Sequence, residues 1–559
     1  MEETNSNVKR NKILMLIFLF LGIFSLSMLI PLVQNAIIYF GELITSPSLH
    51  NRNYWRMWLQ KNFLLAFAFF ETIAFYFSSK IKVISENIKN KYPVISCVTV
   101  IISSICLFIL AFESEVIWLD ETFSLGLARH SIKEAISLTA RDVHPPLYYI
   151  ILRPAMILFN ESIHFAKVVS VIPVVLILCV SNIFFSKEGS YKSSILFNLL
   201  LISTPNVLNY AIEIRTYSWC MLFCFLCCIF TYYIIKDGRF RYYLLYVISA
   251  VCGAYCHYWT AFGLAIGFGL VSLFSLKKDV KSIKYILISG AVGIALYLPW
   301  VGALAKQISV VKADYWIAPL TINEIIDFFL YVIPASSFLK LLSFLLLTFF
   351  FIKLSFSFIK GKNEPYYLFI FVLTPFCLIV SAIIICFLIR PVFISRYALP
   401  FIVNTIFFLV LCIKEFNFKK EFTLSLSLLC ALFCIFELGW MNYNEIVSGI
   451  NDSKFKNIIS NNTTKNTIFI FDCGDNTHIY KIFAYYYPEN RIYGHDIDEL
   501  WTSVYLYDRD NLIDSIEDEK DLCLISSEGQ EPLEMFRDCP NYKVFFDGDP
   551  IQLYFRKTE

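Results

Sequence analysis

The chain is a succession of apolar stretches, most of them about long enough to cross the hydrocarbon core of a bilayer, and that removes most folds from consideration. The stretches lie near residues 13–40, 62–78, 93–112, 165–185, 193–211, 216–235, 242–258, 259–276, 284–302, 336–358, 366–389, 397–413 and 421–440. Backbone polar groups find no water inside lipid, so such segments cross as helices that satisfy themselves. The expected fold class is therefore a polytopic α-helical membrane protein of about 13 spans. Only 16% of residues are charged, against roughly 25% in a soluble domain. The net charge of +2 gives a polyanion nothing to hold, so nucleic acid is not an expected partner.

Charge placement orients the spans. Lys9, Arg10 and Lys12 precede the first apolar run, which is too long for a signal peptide and lacks a small-residue cleavage site. It reads as a retained span. Cytoplasmic loops collect Lys and Arg. With the N-terminus inside, the inner loops hold Lys80, Lys82, Lys89 and Lys91; Lys187 and Lys192; Lys236, Arg239 and Arg241; Lys277, Lys278, Lys281 and Lys284; Lys360 and Lys362; Lys414, Lys419 and Lys420. Every inner loop is basic. The short apolar segment 145–160, with Arg153-Pro154 inside it, is excluded as a span, because counting it would invert all later loops. It belongs to a large outer loop, 113–164, expected to hold interfacial helices. Ser131-x-x-Glu134 has the form of a capping box opening one of them, with Ile132, Ala135, Ile136 and Leu138 toward lipid.

The expected organisation is 1–92, extra N-terminal spans; 93–440, the main membrane domain; and 441–559, a small extracytoplasmic α/β domain. In the tail, strand-like runs at Thr467–Phe471, Leu522–Ile525, Lys543–Phe546 and Ile551–Phe555 alternate with helix-like stretches near 478–486 and 508–518. Fourteen of the 17 cysteines fall in apolar stretches and read as small buried hydrophobes. Cys473, Cys523 and Cys539 sit in the tail, where a Cys523–Cys539 bridge is left open. Asn461-Asn462-Thr463-Thr464 holds sequon-type strings, and Glu71 is an acid near the middle of a span with no assignable role.

The polar motifs cluster on the outer face, which points to a reaction centre at a membrane surface rather than a pore. Asp120-Glu121 follows the third span in WLDETFSL; an interfacial carboxylate there serves as a general base, and two acids in a solvated loop would look the same. Asp142-Val-His144-Pro145-Pro146-Leu-Tyr148-Tyr149 places Asp142 and His144 just before a proline-started helix, where anions or a metal are favoured and where a plain capping Asp is also common. Glu213-Ile-Arg215-Thr-Tyr217, Tyr255-Cys-His257-Tyr258 and Ser395-Arg396-Tyr397-Ala-Leu-Pro400 lie at outer ends of spans, where Arg also snorkels and aromatic residues form belts.

Taken in order over roughly residues 93–413, these strings resemble those of the GT-C superfamily of membrane glycosyltransferases. They are most similar to the branch that includes dolichyl-phosphate-mannose protein mannosyltransferases and the bacterial lipid A aminoarabinose transferase. The resemblance implies a sugar donor on a polyprenyl phosphate, inversion at the anomeric carbon, and a glycan, lipid or protein acceptor. It implies Asp120 as base with Glu121 assisting or orienting. Arg215 and Arg396, with Lys306 and His257, would contact the donor phosphate. Asp142, His144, Glu213, Tyr217, Tyr258 and Tyr397 would line the substrate site. Cofactor use is left open; a divalent metal ion would take Asp120, Asp142, His144 and His257. The odd span count leaves the C-terminus extracytoplasmic, on the same face as the clustered motifs, and the expected location is the plasma membrane, embedded in lipid. The two extra N-terminal spans and the tail depart from the pattern. The rival reading is a transporter or flippase of lipid-linked saccharides, which needs polar residues along a midplane path; Glu71 is the only clear acid there. An inactive scaffold or lipid-binding subunit is a third reading.

Overall fold

The computed structural model describes residues 91–559 except 115, 314–316, 361–364, 417, 419, 473–478, 495–503, 507–520, 528–532, 534, 535, 547, 548, 558 and 559, together with Ile17 and Leu21. The expected spans 13–40 and 62–78, and Glu71, lie outside the described residues, Ile17 and Leu21 apart. Among the described residues nine helices are long and apolar enough to cross a membrane. They are α1 (Tyr92–Glu113), α5 (Ile163–Lys187), α8 (Tyr217–Asp237), α10 (Tyr258–Lys278), α11 (Ser282–Ala313), α13 (Ser337–Ile359), α14 (Phe369–Leu388), α15 (Ile402–Glu415) with the 3-10 turn Ser395–Phe401 before it, and the first half of α16 (Lys420–Asn462). All nine coincide with expected spans.

Two expected spans differ in form. The stretch 193–211 is a pair, α6 (Tyr191–Ile202) and α7 (Pro205–Ile212), bent by 71°. Pro205 explains the break, because it offers no N–H to the helix before it and its ring crowds that helix's carbonyls. Thr204 seals the bend by accepting the Ala335 N–H at 2.8 Å and donating to the Leu200 carbonyl at 2.8 Å. The stretch 242–258 is the shorter helix α9 (Phe240–Ala254), which ends before His257.

The packing is layered around α15. Nearly all of α15 and the turn before it is buried, whereas most of α11 is not, so α15 is the central helix and α11 faces lipid. Phe407 of α15 sits among the rings of Phe184, Phe185, Phe225 and Phe371 at centroid distances of 5.3, 5.9, 5.9 and 5.0 Å. Truncating a buried ring of this kind costs about 3–5 kcal/mol. The outer surfaces of α1, α11 and α13 expose Ile101, Leu287, Ile294, Leu345 and Phe356, as lipid contact requires.

The loop 113–164, expected on the outer face and called the outer loop below, holds three short helices, α2 (Leu119–Arg129), α3 (Ile132–Arg141) and α4 (Leu147–Leu158). The capping box of α3 forms: Glu134 N–H donates to Ser131 Oγ at 3.3 Å, and Ser131 N–H to Glu134 at 3.0 Å. Ile132 and Ile136 are exposed, whereas Ala135 turns inward, so the lipid-facing stripe is narrower than expected.

The tail is a small α/β unit. Six strands, β1 (Ile468–Asp472), β2 (Ile492–Gly494), β3 (Val504–Leu506), β4 (Asp521–Ser527), β5 (Asn541–Phe546) and β6 (Asp549–Lys557), form one sheet in the order β3-β2-β1-β4-β6-β5. β1 pairs in parallel with β2 and β4, with Phe469 opposite Ile492 and Cys523 respectively; β6 runs antiparallel between β4 and β5. The four longer strands are those expected; β2 and β3 are three residues each, too short for an alternating pattern to show. The helix expected near 478–486 is α17 (Ile479–Tyr486), while that near 508–518 lies outside the described residues. Cys523 is a free buried thiol in the sheet, so the Cys523–Cys539 bridge is not formed.

One close approach sets the height of the 3-10 turn. Gly263 of α10 lies against the Phe401 ring, which a Cβ would overlap. Gly263→Ala is expected to destabilise the protein by about 1–3 kcal/mol, seen as a lower melting temperature in detergent, and Gly263→Ala/Phe401→Leu to recover most of it. An unchanged melt in the single variant would show that the turn adjusts freely.

Candidate active site

Asp120 occupies the first turn of α2, where the helix dipole favours a carboxylate. The Arg396 Nη2 lies 3.1 Å from its Oδ2 and the Arg215 Nη2 3.8 Å from the same oxygen. Arg215 also donates to the Asp120 carbonyl at 3.0 Å and to Ser124 Oγ at 3.4 Å. The Arg396 guanidinium lies over Trp118, 5.4 Å from the ring centroid. Residues from the outer loop, the connection between α7 and α8, and the turn before α15 thus meet at one carboxylate.

The chain of contacts continues outward. Arg215 Nη2 donates to His144 Nε2 at 3.2 Å, and His144 Nδ1 lies 2.7 Å from Asp142 Oδ2. Because a guanidinium only donates, Nε2 is the acceptor and Nδ1–H the donor to Asp142. Burial alone would raise the Asp142 carboxyl, but the His144 contact outweighs it and holds the group below its ordinary value. Burial would lower the Arg215 guanidinium, yet Asp120 and the neighbouring phenols hold it well above its usual range.

Glu121 is buried and fully engaged. It accepts the Trp118 N–H at 3.1 Å and the Ile214 N–H at 2.8 Å, and Lys167 Nζ lies 3.7 Å away. Lys167 further donates to Ser114 Oγ at 2.6 Å and to the Val116 carbonyl at 2.9 Å. A buried ion pair holds only when hydrogen bonds offset desolvation, and here they do. Glu121 fastens the α2 N-terminus to the 213–215 connection, and so sets Asp120 against Arg215.

His257 caps α10: its Nδ1 accepts the Trp259 N–H at 3.3 Å, and its ring lies 4.6 Å from Tyr397. Burial, aided by His144, Arg215 and Arg396, depresses its pKa well below the ordinary histidine value, so it is neutral. Tyr258 hydrogen-bonds Gln307 and accepts from Trp300 Nε1 at 2.8 Å; Gln307 in turn donates to the Thr139 carbonyl at 2.7 Å. Glu213 is partly buried, and burial together with the Glu121 charge pushes its carboxyl up to about 8. Tyr217 stacks edge-on with Tyr210 at 4.9 Å.

An apolar cavity of about 340 Å³ adjoins the charged cluster, sharing His144, His257, Tyr258 and Tyr397 with it. Its rim carries Arg390 and Lys312, and Arg390 donates to the Val311 carbonyl at 2.7 Å. A second cavity of about 450 Å³ lies among α12 (Ile322–Tyr331), α13 and α14.

The structure brings together Asp120, Glu121, Asp142, His144, Glu213, Arg215, Tyr217, His257, Tyr258, Arg396 and Tyr397. Lys306 is not among them: it is exposed on α11 and does not line the cavity, because its neighbour Gln307 takes the inward position. The four candidate metal ligands do not converge as a cation site. Asp120 faces two guanidinium groups and His144 a third contact with Arg215, and among the described residues no group of three or more His, Cys, Asp or Glu is placed to hold a metal. Lys167 and Arg390 were missed. Lys167 is a lone cation in an apolar run, and its partner lies 46 residues away in sequence, beyond any local pattern. Arg390 ends an apolar run before proline, a signal shared with ordinary snorkelling.

No family model and no curated protein matches the sequence. The fold does match solved structures. ArnT from Cupriavidus metallidurans in the apo state aligns with a TM-score of 0.59 at 11% identity, covering 82% of this chain and 97% of that one. ArnT from Cupriavidus metallidurans bound to undecaprenyl phosphate aligns with a TM-score of 0.56 at 11% identity over the same shares. The chain thus shares the fold of these structures.

Removing one member of the buried pair tests its anchoring role. Lys167→Met strands the Glu121 charge and is expected to cost about 3–5 kcal/mol; Lys167→Met/Glu121→Gln should recover most of that in a detergent melt. A single variant as stable as the parent would deny the pair a structural role.

Proposed function

We propose that this protein is an inverting glycosyltransferase that moves one sugar from a polyprenyl-phosphate carrier to an acceptor at the outer face of the membrane. The observation that carries the reading is the approach of Arg215 and Arg396 to Asp120 within 3.8 and 3.1 Å, beside an apolar cavity. The fold likeness to ArnT, solved with undecaprenyl phosphate bound, agrees with a prenyl carrier.

The groups divide the work. Arg215 and Arg396 each keep a buried Nε–H with no hydrogen-bond partner among the described residues. Guanidinium forks of this kind bind phosphate through parallel hydrogen bonds. A carrier phosphate competes with Asp120 for them and frees the carboxylate toward the acceptor. The acceptor oxygen attacks the anomeric carbon from the side opposite the phosphate. The bond from that carbon to the phosphate oxygen breaks, the configuration inverts, and polyprenyl phosphate leaves with its new charge held by the two arginines. Asp120 takes the hydroxyl proton. Asp142 orients His144, and His144 orients Arg215. The prenyl chain lies in the apolar cavity, with access from the side of the bundle.

Asp120→Asn is expected to cut transfer by about a thousandfold while affinity for polyprenyl phosphate is kept or increased, because a negative charge beside the phosphate is removed. Near-normal turnover by the purified variant would overturn the base assignment. The outer position of the tail is tested at Lys465, an exposed residue on its rim. Lys465→Cys should react with a membrane-impermeant maleimide in intact cells, above the background of the parent protein. Reaction only after permeabilisation would place the tail, and the site beneath it, on the cytoplasmic side.

A further inference from the structure

Glu213 is the acid of the cluster for which neither base chemistry nor anchoring has a use. Asp120 pairs with arginines, Glu121 with Lys167 and Asp142 with His144. Glu213 has no such pairing: its Oε1 is closed off from solvent without a hydrogen-bond partner among the described residues. The same holds for Arg215 Nε, Arg396 Nε and Tyr217 Oη. The Arg215 N–H closes onto the Glu213 carbonyl at 2.7 Å, so the two side chains leave one tight turn of backbone.

The charges around it balance only while Glu213 carries its proton. Lys167 offsets Glu121, and the two arginines offset Asp120 and Asp142, while His144 accepts from Arg215 through Nε2 and adds no cation. A prenyl phosphodiester bears one negative charge. An ionised Glu213 would leave the cluster net negative and repel it.

We propose that Glu213 works as a protonated carboxyl, donating a hydrogen bond to an oxygen of the carrier's phosphodiester alongside the two arginines. The inference rests on the proposed phosphate role of Arg215 and Arg396. It deepens that role by adding a neutral donor to a site otherwise built of cations. It also gives the site a pH limit: the carboxyl, pushed up to about 8, keeps its proton at neutral pH and loses it as the medium turns alkaline. The groups facing it are Asp120 and Glu121 from α2, Arg215 from its own connection, Tyr217 from the start of α8, Tyr210 from α7, Tyr331 from α12, and Arg396 from the turn before α15. His144 and His257 face Arg215.

The test is equilibrium binding of farnesyl methyl phosphate to the purified full chain in detergent. This diester keeps a single negative charge throughout the alkaline range, so its own titration does not enter. Wild-type affinity is expected to fall about tenfold between pH 7 and pH 9, as the competent protonated fraction does. Glu213→Gln, neutral and still a donor, should bind within about threefold of wild type at pH 7 and show no fall to pH 9. Glu213→Ala should bind at least about tenfold more weakly at pH 7, since a hydrogen bond to a charged group is lost. Wild-type affinity that stays level from pH 7 to 9, or a Gln variant as weak as the Ala variant, overturns the proposal while leaving the arginine site standing. A wild-type protein that does not bind the diester at any pH contradicts the phosphate reading itself.

Discussion

The structure depends on a carboxylate held between two guanidinium groups. Asp120, Arg215 and Arg396 come from positions 95 and 181 residues apart along the chain, and their meeting fixes how the outer loop, the broken pair α6–α7 and the central helix α15 stand relative to one another. Each charge would be costly alone at the edge of a membrane. Together they lower that cost, and each guanidinium keeps an Nε–H without a hydrogen-bond partner among the described residues. The buried Glu121–Lys167 pair fixes the geometry from behind, by tying the first turn of α2 to the backbone between Glu213 and Arg215.

The tail contributes to the same geometry from above. Arg129, at the end of α2, donates to Glu161 at 2.8 Å and to the Tyr485 carbonyl at 3.3 Å, with its guanidinium 4.3 Å from the Tyr485 ring centroid. Leu125, Leu127, Tyr148 and Leu152 of the outer loop share one apolar core with Phe469, Phe483 and Tyr485 of the tail. The helix that carries Asp120 is thus gripped at both ends: by the ion pair at its start and by the α/β unit at its finish. Arg153 closes the second grip by donating to the carbonyls of Ala128 and Arg129, each at 2.9 Å.

Much of this was legible in the sequence, for reasons that differ by element. The spans were readable because lipid enforces length and apolarity over each whole segment. The segment 145–160 was readable as too short to cross, and α4 is a 12-residue helix. The Asp120, Arg215 and Arg396 strings stood out because each charge sits in a longer string and the strings follow one another in the order of those they resemble. Lys306 had only its place near a span end, which cations commonly take, and the rotation of α11 gives the inward place to Gln307. The Pro205 break was readable in principle, but the run on either side is apolar enough to pass as one span. Lys167 was hidden because ion-pair partners distant in sequence leave no local trace. The short strands β2 and β3 were hidden because three residues carry no period.

An electron cryomicroscopy map of the full chain with polyprenyl phosphate tests most directly whether Arg215 and Arg396 hold the phosphate of a prenyl carrier over Asp120, as proposed. Phosphate oxygens are expected within about 3 Å of nitrogens of both arginines, with the prenyl chain running into the cavity below His257. Phosphate density seated instead at Arg390 and Lys312, more than about 8 Å from both arginines and so beyond a screening length, would contradict it.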